Sequence, residues 1–276
     1  MIRLFVDSGS SIEQSEKEKL GVEILPLRIL LGDKEYLDGI DLDIDTFYDL
    51  LINKKLFPKT SLPPLDEADE KIEAYTTNGD DVIIITISSG ISGTYDTINA
   101  RYSKNPRVHV IDSKSAVGGI RILVNEVNKW RDEGIEVVLQ KVYDLIPRIK
   151  IFAIPETLTY LHRGGRLSRT ECIVGSILQL KPVITFRDGK VHVAEKSIGL
   201  PKSKITLLRM LEKFDCDTSY PIVPSYTYDT KNLDDIVRRL DEKYKGVLSE
   251  YDNLDPAIAC HWGPGAFGLI FVSRKI

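Results

Sequence analysis

Apolar residues along this chain fall into two kinds of run. Short β-branched runs at 2–6, 23–27, 82–87, 108–111 and 151–154 are too brief for helices, and most meet a polar turn, which predicts buried strands. Between them, apolar positions recurring every three or four residues predict helices near 11–20, 44–51, 65–75, 94–102, 117–133 and 137–149. Ser10 with Glu13 fits a capping box for the first helix, and Gly21 stops it. Strands alternating with helices imply an open, mostly parallel sheet covered on both faces. Such sheets bind ligands at the carboxyl ends of their strands, which here carry Asp7-Ser8, Ser88-Ser89 and Asp112-Ser113.

Two stretches interrupt this pattern. The run 32–45 is polar and acidic, and Pro58, Pro63 and Pro64 predict an irregular, rigid loop over 57–64 that presents Thr60 and Ser61. After about residue 155 the pattern changes. Residues 158–168 read as a short helix broken by Gly164-Gly165, and Ser168 caps a further helix through 178. Arg187-Asp188-Gly189 between apolar runs at 182–186 and 190–194 predicts a hairpin. Helices near 202–214 and 232–244, with strands at 222–226, 257–260 and 267–272, complete an α+β region. The expected architecture is therefore α/β in two domains, a Rossmann-like domain over 1–157 and an α+β domain over 158–276.

The run 82–87 leads directly into Ser88-Ser89-Gly90-Ile91-Ser92-Gly93-Thr94-Tyr95. In a strand–loop–helix unit, loop N–H groups and the helix N-terminus converge at the end of the sheet and can hold an anion without a cationic side chain. Three chemistries could use the loop. A serine nucleophile is one, although Gly93 stands one place early for a nucleophile elbow. Nucleotide phosphate binding is the second, but neither glycine-rich phosphate motif is present. Capture of a carboxylate or phosphate by hydroxyl and N–H groups is the third. A hydrolase or acyltransferase using Ser92 with His261, oriented by Asp7 or Asp112, is the main alternative, and a phosphate-ester sensor is another.

Composition narrows the field. With 276 residues, 42% hydrophobic and 28% charged, the chain has ample material for a core, and a net charge of −4 argues against nucleic acid as partner. Cys172, Cys216 and Cys260 lie far apart without metal spacing, so no metal is expected and a reducing, cytoplasmic setting is. The first apolar run meets Asp7 at once, unlike a signal peptide, and no run approaches the roughly 18 apolar residues of a membrane span. His109, His162 and His192 read as structural. His261 closes a predicted strand and is followed by the rigid turn Gly263-Pro264-Gly265.

Asp7-Ser8, Pro26-Leu27, Tyr36-x-Asp38-Gly39, Thr60-Ser61-x-Pro63, Ser88 through Tyr95, Ile111-Asp112-Ser113, Arg163 through Ser168, Lys181-Pro182 and His261-x-Gly263-Pro264-Gly265-Ala266 follow one another along the whole chain. In that order they resemble the bacterial DegV family. The resemblance implies a long-chain fatty acid such as palmitate, stearate or oleate in a tunnel between two domains. Its carboxylate would be held by Thr60, Ser92 and His261, with Ser61, Ser89 and Gly93 as the supporting loop. It also implies a lipid-binding protein rather than an enzyme, with no cofactor. Such a protein presents the lipid, for phospholipid metabolism, to a separate fatty acid kinase subunit that binds ATP. Arg163 and Arg166 are the candidate contacts for that partner. Residues 195–201 lack the arginine usual in the family after the hairpin.

Overall fold

The computed structural model describes residues 1–168 and 180–276, which form two compact units. The first comprises Met1–Ile146 with Asp255–Ala257, and the second Pro147–Leu254 with Ile258–Ile276.

In the first unit the chain runs β1 (Ile2–Asp7), α1 (Lys17–Leu20), β2 (Val22–Leu25), β3 (Arg28–Leu31), β4 (Lys34–Leu37), α2 (Ile44–Tyr48), β5 (Lys59–Ser61) and α3 (Asp66–Thr77). It continues through β6 (Asp81–Thr86), α4 (Thr94–Tyr102), β7 (Val108–Asp112), α5 (Gly118–Trp130) and α6 (Ile135–Leu145). Four strands make a parallel sheet in the order β2-β1-β6-β7. From β1 the chain adds β2 on one side and later β6 on the other. The carboxyl ends of β1 and β6 therefore flank the switch point of the sheet. Phe5, Val82 and Ile84 turn one face toward Ala68 and Ile72 of α3 and Ile98 of α4. Leu4, Ile83 and Ile85, on the alternate positions, are buried as well. Burial of both faces is why these strands read as unbroken apolar runs.

The structure revises several local expectations here. Residues 57–64 are not wholly irregular: β5 pairs antiparallel with β3, Thr60 opposite Ile29, in a second sheet ordered β4-β3-β5. Pro58 and Pro63 flank β5 and so cost it no ladder bond. The polar run 32–45 contains β4, whose Tyr36 is buried while Lys34 and Glu35 face outward. The capping box lies at Glu13 and Glu16 rather than at Ser10, whose hydroxyl instead accepts from the Ile12 N–H at 3.3 Å.

The second unit contains β8 (Ile149–Ile154), α7 (Thr159–Arg163), β9 (Val183–Arg187), β10 (Lys190–Glu195), α8 (Leu200–Lys213) and β11 (Val223–Tyr226). It ends with α9 (Asp234–Lys243), β12 (Asp252–Asn253), α10 (Pro256–Trp262), whose Pro256 and Ala257 count with the first unit, and β13 (Phe267–Val272). The sheet order is β10-β9-β8-β13-β11-β12, antiparallel except for the β11–β12 pair. Leu207, Met210 and Leu211 of α8 and Ile236 and Leu240 of α9 pack with Phe152, Leu269 and Phe271 of the strands. The strand expected at 151–154 is β8, and it pairs within this second sheet rather than the first.

One element changes type. Residues 257–260, expected as a strand, lie in α10, so His261 stands in the last turn of a helix. Pro256 supplies the first helical residue, and the buried Asp38 accepts the Ala257 N–H at 3.1 Å, an end-cap from 219 residues away. The helix expected from 168 to 178 and Cys172 lie outside the described residues, apart from Ser168 itself.

Candidate functional site

The loops at the carboxyl ends of β1, β6 and β7 are tied into one assembly by buried polar bonds. Asp7 is fully buried and accepts the Gly9 N–H at 2.9 Å with one oxygen and the Ile87 N–H at 2.8 Å with the other. Val117, after β7, donates its N–H to the Gly9 carbonyl at 2.7 Å while holding a φ of +47°, a strained value for a β-branched residue. Burial, aided by repulsion from Asp38, pushes the Asp7 carboxyl up to about 7 in spite of its two N–H bonds. Burial likewise raises Asp38 to about 7, against the Ser8 hydroxyl and the Ala257 N–H that favour its charge.

The loop after β6 uses its own N–H groups. Ser88 N–H donates to the Ser115 carbonyl at 2.9 Å, and Ser89 N–H to Asp112 at 3.1 Å. Gly90 N–H donates to the Ser88 hydroxyl at 3.1 Å, and both Ile91 and Ser92 N–H donate to the Ser88 carbonyl at 3.1 Å. Thr94 N–H donates to the Ser92 Oγ at 3.3 Å. From Ser88 to Thr94, the Gly93 N–H alone is outside this scheme among the described residues. The cradle of backbone donors anticipated from the sequence is therefore largely spent on the loop's own shape, and Asp96 in the first turn of α4 already answers the helix dipole. What the loop presents is hydroxyls.

Ser92 is half-buried, and its hydroxyl lies 2.8 Å from that of the buried Thr94. Ser89 is fixed by Lys114, whose ammonium donates to its hydroxyl at 3.1 Å and pairs with Asp112 at 2.7 Å. Against the cost of burial, the bonds from Lys114 and Ser89 hold the Asp112 carboxyl below its usual range. Thr60 is half-buried on β5 and Ser61 exposed, and the residue that follows them approaches the same loop: a Leu62 methyl would lie 3.9 Å from a Cβ placed on Gly93. The structure thus brings the Thr60 segment beside the Ser92 loop within the first unit.

His261 belongs to the second unit, where Gly164, in the turn after α7, closely approaches its ring. Burial, followed by the Arg166 charge, lowers its pKa to about 3, so the imidazole is neutral throughout the physiological range. A Cβ on Gly164 would overlap His261 Nδ1, and one on Gly263 would overlap the Tyr160 ring. Both glycines are required by close approach. Arg166 donates to the Gly164 carbonyl, and burial lowers its own pKa. Arg163, in contrast, is exposed at the end of α7. The two arginines that read alike in sequence occupy different surroundings. Pattern reading did not single out Thr94 or Gly164 individually; for Thr94, a hydroxyl two places after Ser92 at a helix start was the available signal.

Fold and site define a two-unit α/β protein with hydroxyl-lined loops at a switch point and a neutral histidine on a short helix. The chain belongs to the DegV family, described as uncharacterised, which it matches over residues 1–274. A DegV domain-containing protein of Caldanaerobacter subterraneus subsp. tengcongensis is 33% identical to it over 279 residues, with 99% of each chain covered. Among solved structures it is similar to a fatty acid binding DegV family protein from Streptococcus agalactiae, at 26% identity and a TM-score of 0.89, covering 100% of this chain and 99% of that one. A stearic acid-binding protein from Eubacterium ventriosum gives 26% identity and a TM-score of 0.87, with 99% of each chain covered. No described helix is long and apolar enough to cross a membrane. Among the described residues no cluster of His, Cys, Asp or Glu is suited to a metal ion.

Proposed function

We propose that this chain binds a long-chain fatty acid and presents its carboxylate to a separate ATP-dependent kinase, with Thr60, Ser92 and His261 as carboxylate donors. The carrying observation is end-to-end similarity to proteins that bind fatty acids. The chemistry of the residues agrees. A C16 chain buried at roughly 0.8 kcal/mol per methylene is worth on the order of 10 kcal/mol, enough to offset several kcal/mol for desolvating the carboxylate when donors meet it. Two hydroxyls and a neutral imidazole supply those donors without neutralising the charge. A carboxylate so held keeps its nucleophilicity toward a phosphoryl group, whereas an arginine fork would blunt it. Arg163, exposed on α7, is then the better placed of the two arginines for a partner.

Mass spectrometry of the purified protein, native and after organic extraction, tests the ligand class. Near-stoichiometric fatty acid is expected. Absence of lipid, together with no thermal shift on adding C14 to C18 acids, would discard the reading. Incubated alone with ATP, Mg²⁺ and the acid, the chain should form no acyl phosphate.

A further inference from the structure

The hydroxyl pair at the start of α4 has a direction that its surroundings decide. Thr94 is completely buried, and a buried hydroxyl needs an acceptor for its proton. Among the described residues the acceptor that meets its Oγ1 is the Ser92 Oγ, at 2.8 Å. The Thr94 N–H points at the same oxygen, at 3.3 Å. A serine oxygen has two lone pairs and one proton. With both lone pairs taken by Thr94, only the proton of Ser92 is left to project from the half-buried loop.

We propose that Thr94 is a positioning residue that fixes Ser92 as an outward donor, a hydroxyl able to give a hydrogen bond to an anionic oxygen and unable to accept one. This rests on the fatty-acid reading above for its ligand, and it selects among ligand chemistries: a carboxylate, which only accepts, matches Ser92, and a group that only donates, such as an amide N–H or an ammonium, does not. It also makes Ser92 a poor nucleophile, because the electron pair that would attack is engaged. The free acid or its anion is therefore favoured over an ester to be cleaved.

The test compares palmitate dissociation constants for the full chain and for Thr94→Val, Thr94→Ser, Ser92→Ala and the double variant Ser92→Ala/Thr94→Val. Valine keeps the shape of threonine and removes the hydroxyl, so affinity should fall about fivefold to tenfold, the scale of a charged hydrogen bond partly lost. Thr94→Ser should stay within about twofold of the parent, since it restores the donor. In the Ser92→Ala background Thr94→Val should add almost nothing, because there is no oxygen left to orient. Parental affinity in Thr94→Val, or an undiminished effect in the double variant, would overturn the proposal. A neutron structure of the deuterated protein reads the same claim without a ligand. The Thr94 deuteron should lie toward Ser92 Oγ, and a Ser92 deuteron pointing at Thr94 would refute it. If the parent binds no fatty acid while the deuteron lies as expected, the ligand reading alone has failed.

Discussion

Gly164 lacks a side chain because His261 occupies the space one would need. At this scale the setting of His261 is a matter of clearance: Gly164, after α7, approaches the imidazole so closely that a single methyl must displace it. Gly164→Ala should cost about 1–3 kcal/mol of stability, the usual range for overpacking. It should weaken fatty acid binding more than that loss of folded protein explains, measured by isothermal titration well below the melting temperature. Unchanged affinity would show that the ring tolerates the shift. Gly263→Ala should be the more damaging change, since it adds overlap with Tyr160 to a backbone held at φ +72°.

Among the elements, α10 depends on a partner far away in sequence. Asp38 accepts the Ala257 N–H, one turn before His261, and Pro256 leaves that first turn with one donor fewer to satisfy. Asp38→Ala should cost about 1–2 kcal/mol when unfolding is followed at pH 5, where the buried acid holds its proton and its acceptor role dominates. Loss of the cap should also fray the turn that carries His261, visible as faster amide exchange at 257–261. This dependence was hidden in the sequence. Residues 257–260 are all apolar, so periodicity cannot separate strand from helix there, and the cap that decides comes from the other end of the chain. The strands β1, β6 and β13 were legible because burial on both faces marks them, and β9 and β10 because a hairpin turn does. β3, β4 and β5 were not, since short strands with one polar face and flanking prolines resemble loops. Of the candidate site, the hydroxyl-bearing loops could be read from residue type and strand ends, but the internal use of their N–H groups depends on Asp112 and Ser115, which no local pattern reveals.

For the molecule as a whole, Asp7 and Asp38 are two buried acids sharing the interior of the first unit, and both are raised to about 7. Asp7 accepts two backbone N–H groups, one on each oxygen, and so is the better place for the negative charge. Asp38 accepts one, which makes it the better place for a proton. The consequence for stability follows from linkage. An acid with a folded pKa above its unfolded value binds more protons when folded, so its contribution is complete below about pH 4 and is lost as pH rises through about 7. His261 acts in the opposite sense: with its pKa lowered to about 3, its contribution is lost as pH falls below about 6.5. The two trends oppose each other between pH 5 and 6.5, so the parent protein alone cannot report on the acids. The difference between Asp38→Asn and the parent can, because the His261 contribution cancels. Urea unfolding at pH 5, 6, 7 and 8 should show the variant gaining on the parent as pH rises, by on the order of 2 kcal/mol across the range. Parallel curves would show that Asp38 carries no raised pKa in the folded protein.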